Sequence, residues 1–353
     1  MKTKLFIFSF IVLAVSTLSA KVLTVCNAPI TGGHFTNLQT AIDSASPGDT
    51  VYVVGSPNPY SSYGDGTGNN SNIYITNQIT LIGAGYAVTG TQNNWSSYIN
   101  GSIYIDSNGY TIQLSGTKIL GMDVNGALYQ TGFTSKPINN IDIERSYFNS
   151  WLYVYGYGWS IINNDLYGVQ VQNWNNLNIQ NNFLYTVQNS NQSTVVISNN
   201  DFVIDGGNAF SSVSNALIAN NVFFYDNPAT STTSCVYSNN ISFNGSPITL
   251  PPAGNTGAGN INPASLGVLG FTDAALSNYV GQNIWAYTWT FKATSPAHNG
   301  GTDGTDIGAT GGAYPMPNYT GATRIPQMQL MNVPAIVPSG GSMNVNFKAR
   351  IQN

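Results

Sequence analysis

Residues 159–202 read WSIINNDLYGVQVQNWNNLNIQNNFLYTVQNSNQSTVVISNNDF, and one phrase occurs in them three times: WSIINNDL (159–166), LNIQNNFL (177–184) and VVISNNDF (195–202). An apolar residue stands two places before each Asn pair, at Ile161, Ile179 and Ile197. Outward from this stretch the phrase continues as IDIERSYF (141–148), ALIANNVF (216–223) and CVYSNNISF (235–243). The marker position then runs Ile143, Ile161, Ile179, Ile197, Ile218 and Tyr237, at intervals of 18, 18, 18, 21 and 19. Two further columns accompany it. One is Ile141, Trp159, Leu177, Val195, Ala216 and Cys235; the other is Phe148, Leu166, Leu184, Phe202 and Phe223.

A period near 20 with apolar residues on alternate positions predicts a solenoid of stacked coils. β-Branched residues at the alternating positions argue strands rather than helices. A leucine-rich repeat would want several leucines and a lone Asn per unit, which this chain lacks. Asn suits the corners because it tolerates the left-handed backbone region, and stacked Asn side chains can bond to one another along the axis. Less regular coils precede these at DTVYVVG (49–55), ITLIGAG (79–85), SIYIDSNG (102–109) and TKILGMDVNG (117–126). Nine or ten coils at about 4.8 Å each predict a rod on the order of 45 Å long. The preference of parallel crossovers makes it right-handed. Phe35, Leu38, Ala41, Ile42 and Ala45 share one helical face, Thr36 with Gln39 fits a capping box, and Pro47-Gly48 ends the segment. A short helix there would cover the first coil.

With its opening FTNLQTAIDSASPGDTVYVVG (35–55) and its Asn-Asn coils, the chain resembles the pectin-lyase-like superfamily of secreted right-handed parallel β-helix proteins. The closing segment SPAHNGGTDGTDIGATGG (295–312) is similar to the terminal motif of β-helix proteins from Bacteroidetes-like bacteria. The resemblance covers most of residues 22–312 and implies an all-β fold. It does not define an activity, because this superfamily hosts lyases, hydrolases, esterases and proteins without known chemistry. After the coils, residues 246–263 read as a Pro/Gly-rich loop off the rod, and 271–292 return to strand-like alternation. The expected organisation is a signal peptide at 1–20, the capped β-helix at 21–312, and a small β-appendage or tail at 313–353.

The leader MKTKLFIFSFIVLAVSTLSA has a basic start, an apolar stretch from Leu5 to Val15 and small residues up to Ala20. That run is too short to span a bilayer, where about 20 apolar residues are needed, and it predicts export to a secreted, extracellular or cell-surface location with no membrane span. Charged residues are only 7% of the chain, with a formal net charge of −4. So few cations cannot neutralise a phosphate backbone, which excludes a nucleic-acid partner. Two cysteines, Cys26 and Cys235, make no disulfide framework. A bridge between them is open to an oxidising compartment, and a buried free thiol is the preferred reading for Cys235.

A pectate lyase would imply clustered calcium-binding carboxylates and a basic Arg or Lys, yet only Arg145 lies in the regular coils, beside Glu144, where a surface ion pair is expected. The Gly-His-Gly and Arg-x-Lys motifs of polygalacturonases are absent. DFVIDGGNAF (201–210) has some likeness to the nucleophile stretch of pectin methylesterases, which would make Asp201 the nucleophile, but the partner acid and Arg motifs are missing. A glycosidase would need carboxylates from different coils, drawn from Asp106, Asp123, Asp142, Glu144 and Asp165, to converge in one groove. Asp303 and Asp306 are weak calcium candidates, two carboxylates where six to eight oxygens are wanted. No catalytic set and no cofactor motif emerges.

Aromatics remain, with 21 tyrosines in an otherwise neutral chain, and Tyr and Trp rings offer apolar faces with polar edges to sugars. In SWLYVYGYGWS (150–160) five rings alternate. Carrying the 18-residue register across turns Trp151, Tyr153 and Trp159 inward, over Val169, Val171 and Leu177. That leaves Tyr155, Tyr157 and Trp174 as a candidate carbohydrate-binding corner. The expected function is a non-catalytic β-helix that binds polysaccharide or serves an adhesive or structural role; the alternative is a carbohydrate-active lyase or hydrolase.

Overall fold

The repeat columns of the sequence are columns in space. Val51, Leu81, Ile119, Ile143, Ile161, Ile179, Ile197, Ile218 and Tyr237 pair in register, strand upon strand, within one parallel sheet. All are fully buried. Eleven strands make up this sheet, where nine or ten coils were expected. A second parallel sheet of twelve strands faces it and carries the column Phe148, Leu166, Leu184, Phe202 and Phe223. The chain passes from one sheet to the other and back, coil after coil, so the protein is an all-β parallel β-solenoid with a dry aliphatic interior. Each inward Ile, Leu or Phe stabilises it by about 1.5–3 kcal/mol relative to exposure. This is a computed structural model, which describes residues 20–28, 33–61, 72–86, 95–106, 114–131, 137–172, 176–190, 194–203, 207–224, 227–242, 248–261, 269–278, 284, 287–316, 327–332 and 346–350. Residues 1–19, and with them nearly all of the expected leader, lie outside the described residues.

The two asparagines of each pair have different tasks. The first (Asn163, Asn181, Asn199, Asn220, Asn239) adopts φ of 52–58° and turns the chain out of one sheet. Gly121 and Arg145 hold the same corner in earlier coils, at φ 64° and 49°. The second asparagine points inward. Asn164, Asn182, Asn200, Asn221, Asn240 and Asn260 form a ladder in which each Oδ1 from Asn182 on accepts from the backbone N–H and the Nδ2 of the asparagine one coil earlier, at 2.9–3.0 Å, and the Asn164 Oδ1 accepts from Ser146 N at 2.9 Å. Each Nδ2 also donates to a main-chain carbonyl, as Asn200 does to Ile179 O at 2.9 Å. Every amide is thereby satisfied away from water, which a buried polar group requires.

The helix α1 (Leu38–Asp43) covers the first coil with Leu38, Ala41 and Ile42. Its N-cap is Asn37, whose side chain accepts from Thr40 N, and not Thr36 as the sequence pattern indicated. Gln39 is thereby released for another task. Its amide accepts from Tyr74 N and donates to Tyr74 O, both at 2.8 Å, and so pairs with the last strand of the twelve-stranded sheet. An exposed strand edge invites foreign strands, and one glutamine blunts this one.

Three expectations need correction. Trp151 and Tyr153 face outward, while Leu152 and Val154 are buried; only Trp159 is inward as expected. The strand Tyr147–Val154 pairs with the next coil at an offset of 18 residues at Phe148 but 17 from Trp151 on, so a bulge at Asn149–Ser150 absorbs one residue and flips the following side chains. Second, residues 246–263 are not simply a loop off the rod: Thr256–Ala258 forms the last strand of the eleven-stranded sheet and Ile261 bridges to Ile241. Third, the described part of 271–292 is not strand-like. Phe271 and Phe291 form one antiparallel bridge, Ala274–Asn278 is a 3₁₀ turn, and the apolar residues pack sideways into a second core.

That second core lies on the outer face of the twelve-stranded sheet. Phe183, Val222 and Ile241 project from the rod and meet Phe271, Trp289, Ile307 and Met316. The closing segment 297–314 then runs back along the corner asparagines. Asn239 donates to Gly300 O (2.8 Å), Asn220 to Thr302 Oγ1 (3.0 Å), and Asn181 to Ala309 O (2.9 Å) and Gly311 O (2.6 Å). With its amide nitrogen turned that way, Asn163 reaches Tyr314 O at 2.8 Å. Toward the carboxyl end Gln327–Asn332 pairs antiparallel with Asn346–Arg350. Cys26 and Cys235 are both buried free thiols.

Candidate functional site

The outward face of the twelve-stranded sheet carries the chemistry. Tyr74, Tyr104, Tyr129 and Tyr153 occupy one outward position in four successive strands; the first three are paired in register, and the neighbours Leu128 and Leu152 join the last two. Their rings stack, with centroids 5.1, 4.9 and 4.9 Å apart and planes within 13–21° of parallel. Burial against one another raises the Tyr104 and Tyr153 phenols above their ordinary range, with Tyr129 adding to both. Beside the end of the ladder, Trp151 meets Tyr167 edge to face at 5.2 Å, and Tyr167 meets Tyr185 at 5.5 Å. Gly168 makes room for the indole, since a Cβ there would lie 2.8 Å from it.

A second outward row runs Tyr98, Asp123, Tyr147, Asp165, Phe183 and Asp201, one residue per strand. Alongside it Asn149 donates to Asn125 (2.9 Å) and Asn125 to Asn100 (3.2 Å), while the Tyr98 and Tyr147 hydroxyls donate to Asn100 and Asn149. Burial pushes the Asp123 carboxyl up to about 6 against a hydrogen bond from Ser96, and pushes the Tyr147 phenol up to about 12. Asp165 is raised well above the carboxylate range by burial alone. Asp201 is pushed up to about 8 by burial, opposed by the Ala309 N–H at 3.3 Å, and it lies beneath the closing segment. A pocket of about 150 Å³ lies around Asp165 on this row, lined by Tyr147, Asn149, Asp165, Tyr167, Tyr185 and Ile284 among others.

The remaining candidates are dispersed. Tyr157 is 45% exposed on the corner and Tyr155 half-buried beside it; Trp174 lies outside the described residues. Asp142 and Glu144 sit on the other sheet, with Asp142 paired to Lys118 at 2.6 Å, and the expected Arg145–Glu144 pair is absent among the described residues. Asp106 ends a strand in the tyrosine-bearing sheet, and its side chain is not described. Of the five carboxylates that a glycosidase could draw on, Asp123 and Asp165 share a row two strands apart, about 9.6 Å by strand spacing, with Tyr147 standing between them. Asp303 accepts from Thr305 N (3.0 Å) and Thr305 Oγ1 (2.7 Å), and Asp306 from Asn299 N (2.9 Å), with His298 Nδ1 lying 2.9 Å from the Asp306 carboxylate. These carboxylates organise a turn, and no group of three or more His, Cys, Asp or Glu gathers among the described residues to hold a metal. No helix among them is long and apolar enough to cross a membrane.

The tyrosine ladder escaped the sequence reading although a signal was present. The triplets IYI (73–75), IYI (103–105), LYQ (128–130) and LYV (152–154) each place Tyr between two inward residues, all aliphatic except Gln130. Comparison of the chain with protein-family models, with curated proteins and with solved structures gave no significant match.

Proposed function

We propose that this is an exported or cell-surface β-solenoid of the pectin-lyase-like kind that binds polysaccharide without cleaving it. The observation that carries the reading is the outward aromatic row, Tyr74, Tyr104, Tyr129 and Tyr153, continued by Trp151, Tyr167 and Tyr185. The stacked rings turn their edges and hydroxyls outward at about 5 Å intervals, close to the length of one sugar residue. Trp151 and the 41%-exposed Tyr167 add apolar surface at the end of the row. A chain this poor in charge suits a neutral, hydroxyl-rich partner.

A superfamily enzyme would instead have to work through Asp123 and Asp165. Their separation lies at the upper limit of the 6.5–9.5 Å range of inverting glycosidases, and the Tyr147 side chain occupies the strand between them. One panel separates the readings: neutral and acidic polysaccharides assayed for retention and for release of reducing ends or unsaturated products. The expected result is retention of one or more neutral glycans without cleavage, weakened at least about tenfold, 1.4 kcal/mol, by Trp151→Ala with Tyr153→Ala. Cleavage that is lost in Asp165→Asn would overturn it, and so would no retention by any member.

A further inference from the structure

Asp165 is 8% exposed and lines the pocket; its N–H donates to Ser146 O, but its carboxyl has no hydrogen-bond or ion-pair partner among the described residues. Asp201 holds the same place in the row two strands on, and there the closing segment supplies the Ala309 N–H. None of the described residues supplies such a donor to the equivalent carboxyl of Asp165, in a space lined by Tyr147, Tyr167, Tyr185 and Ile284. Among the described residues no Lys or Arg lines that space. A buried carboxylate is costly unless paired, and tyrosine rings attract cations through their negative faces. At about 150 Å³ the pocket is smaller than the 300–1,000 Å³ of sites for drug-sized ligands, so it fits a head group and not a whole molecule. We propose that this pocket is a binding site for an organic ammonium group, with Asp165 as counter-ion and Tyr147, Tyr167 and Tyr185 as its walls.

The assignment holds with or without the polysaccharide reading, because a free alkylammonium and the amine of an amino sugar present the same chemistry. Among the described residues the titratable groups facing Asp165 are Tyr147 on one neighbouring strand, Tyr167 on its own and Tyr185 on the other, and none of these is basic. Binding therefore draws on the ionised Asp165 and weakens as pH falls.

The test titrates the full chain by calorimetry at pH 8 and pH 5 with tetramethylammonium chloride, a glucosamine oligomer, and neopentyl alcohol as an uncharged near-isostere of the small ion, at matched ionic strength. Saturable binding of at least one ammonium probe is expected, at least tenfold weaker at pH 5, and lost in Asp165→Asn. Preference for the oligomer would place the amine on a glycan, and preference for the small ion would make it a free ligand. Tyr167→Ala, at an exposed wall residue, should weaken binding several-fold and serves if Asp165→Asn fails to fold. Binding of neither ammonium probe, equal binding of the uncharged isostere, or affinity unchanged in a folded variant would overturn the site and leave Asp165 as a structural, protonated acid. Because glycan retention is measured separately, the two proposals can fail independently.

Discussion

Asn199 and Asn200 are adjacent and identical, yet their substitutions should differ by several kcal/mol. Asn200 is fully buried; its Oδ1 accepts from Asn182 N and Nδ2, and its Nδ2 donates to Ile179 O, Ser198 O and Asn221 Oδ1. Asn200→Ala strands the main-chain N–H of Asn182 in the interior, at about 1–3 kcal/mol, and removes the three bonds its own Nδ2 donates, at about 0.5–1.5 kcal/mol each, while the Asn182 Nδ2 keeps Ile161 O and Gln180 O; a loss of several kcal/mol is expected. Asn199 is a corner residue at φ 54°, with two long side-chain bonds, one donated to Asp306 O at 3.4 Å and one accepted from Asn220 Nδ2 at 3.5 Å. Glycine adopts that conformation freely, so Asn199→Gly should cost within about 1 kcal/mol. Urea midpoints at constant m value decide the matter. Equal losses at the two positions would mean that the ladder amides are not what fastens the coils.

At the scale of the strand, the tyrosine ladder contributes to both stability and the binding face. Tyr129 stacks on Tyr104 and Tyr153, and such pairs are worth about 0.5–1.5 kcal/mol beyond area burial. Tyr129→Ala is expected to destabilise the fold by about 1–3 kcal/mol in urea melts, with Tyr129→Phe close to wild type because the stack and not the hydroxyl is at stake. A Tyr129→Phe variant as unstable as Tyr129→Ala would refute the stacking account. The strands also mark where the sequence was legible. The Asn-Asn phrase recurs at nearly constant spacing because each Asn has a geometric task that few residues perform, so the columns and the solenoid follow from residue identity. The direction of Trp151 and Tyr153 does not follow. One inserted residue absorbed by the bulge at Asn149–Ser150 restores Leu152 and Val154 to the interior, and the coil recovers its 18-residue offset by Ser160. The local alternation of Leu152 and Val154 was the better guide there, since burying aliphatics outweighs keeping an even register. The Asp165 pocket was not legible at all. Its wall includes Ile284, which is more than 100 positions away and placed by a second core with no periodic signature.

For the molecule as a whole, the closing segment converts one end of an outward row of the rod into an interior, where Asp201 becomes a proton-retaining group, and Asp123 toward the other end of the row is raised by its own burial. Burial pushes Asp201 up to about 8 and Asp123 up to about 6, against about 3.9 for aspartate in an unfolded chain. Above pH 4 the unfolded chain has released these protons while the folded chain still holds them, so stability falls as pH rises, first through 6 and then to 8. Each such group contributes a slope of about 1.4 kcal/mol per pH unit between its two pKa values. Asp49 acts in the opposite direction. Main-chain N–H groups of Lys21 and Ser46 hold it below the usual range, with burial opposing, so its stabilisation is lost only in acid as pH falls through its folded value. The stability maximum is therefore expected in mildly acidic solution rather than at neutrality. Asp201→Asn keeps an oxygen to accept from Ala309 N–H and removes the titration. Its melting temperature should match wild type near pH 4.5 and exceed it by several degrees at pH 8, in thermal melts monitored by circular dichroism. Parallel pH profiles for the two proteins would show that Asp201 is not buried in solution, and hence that the closing segment does not lie over this row of the rod.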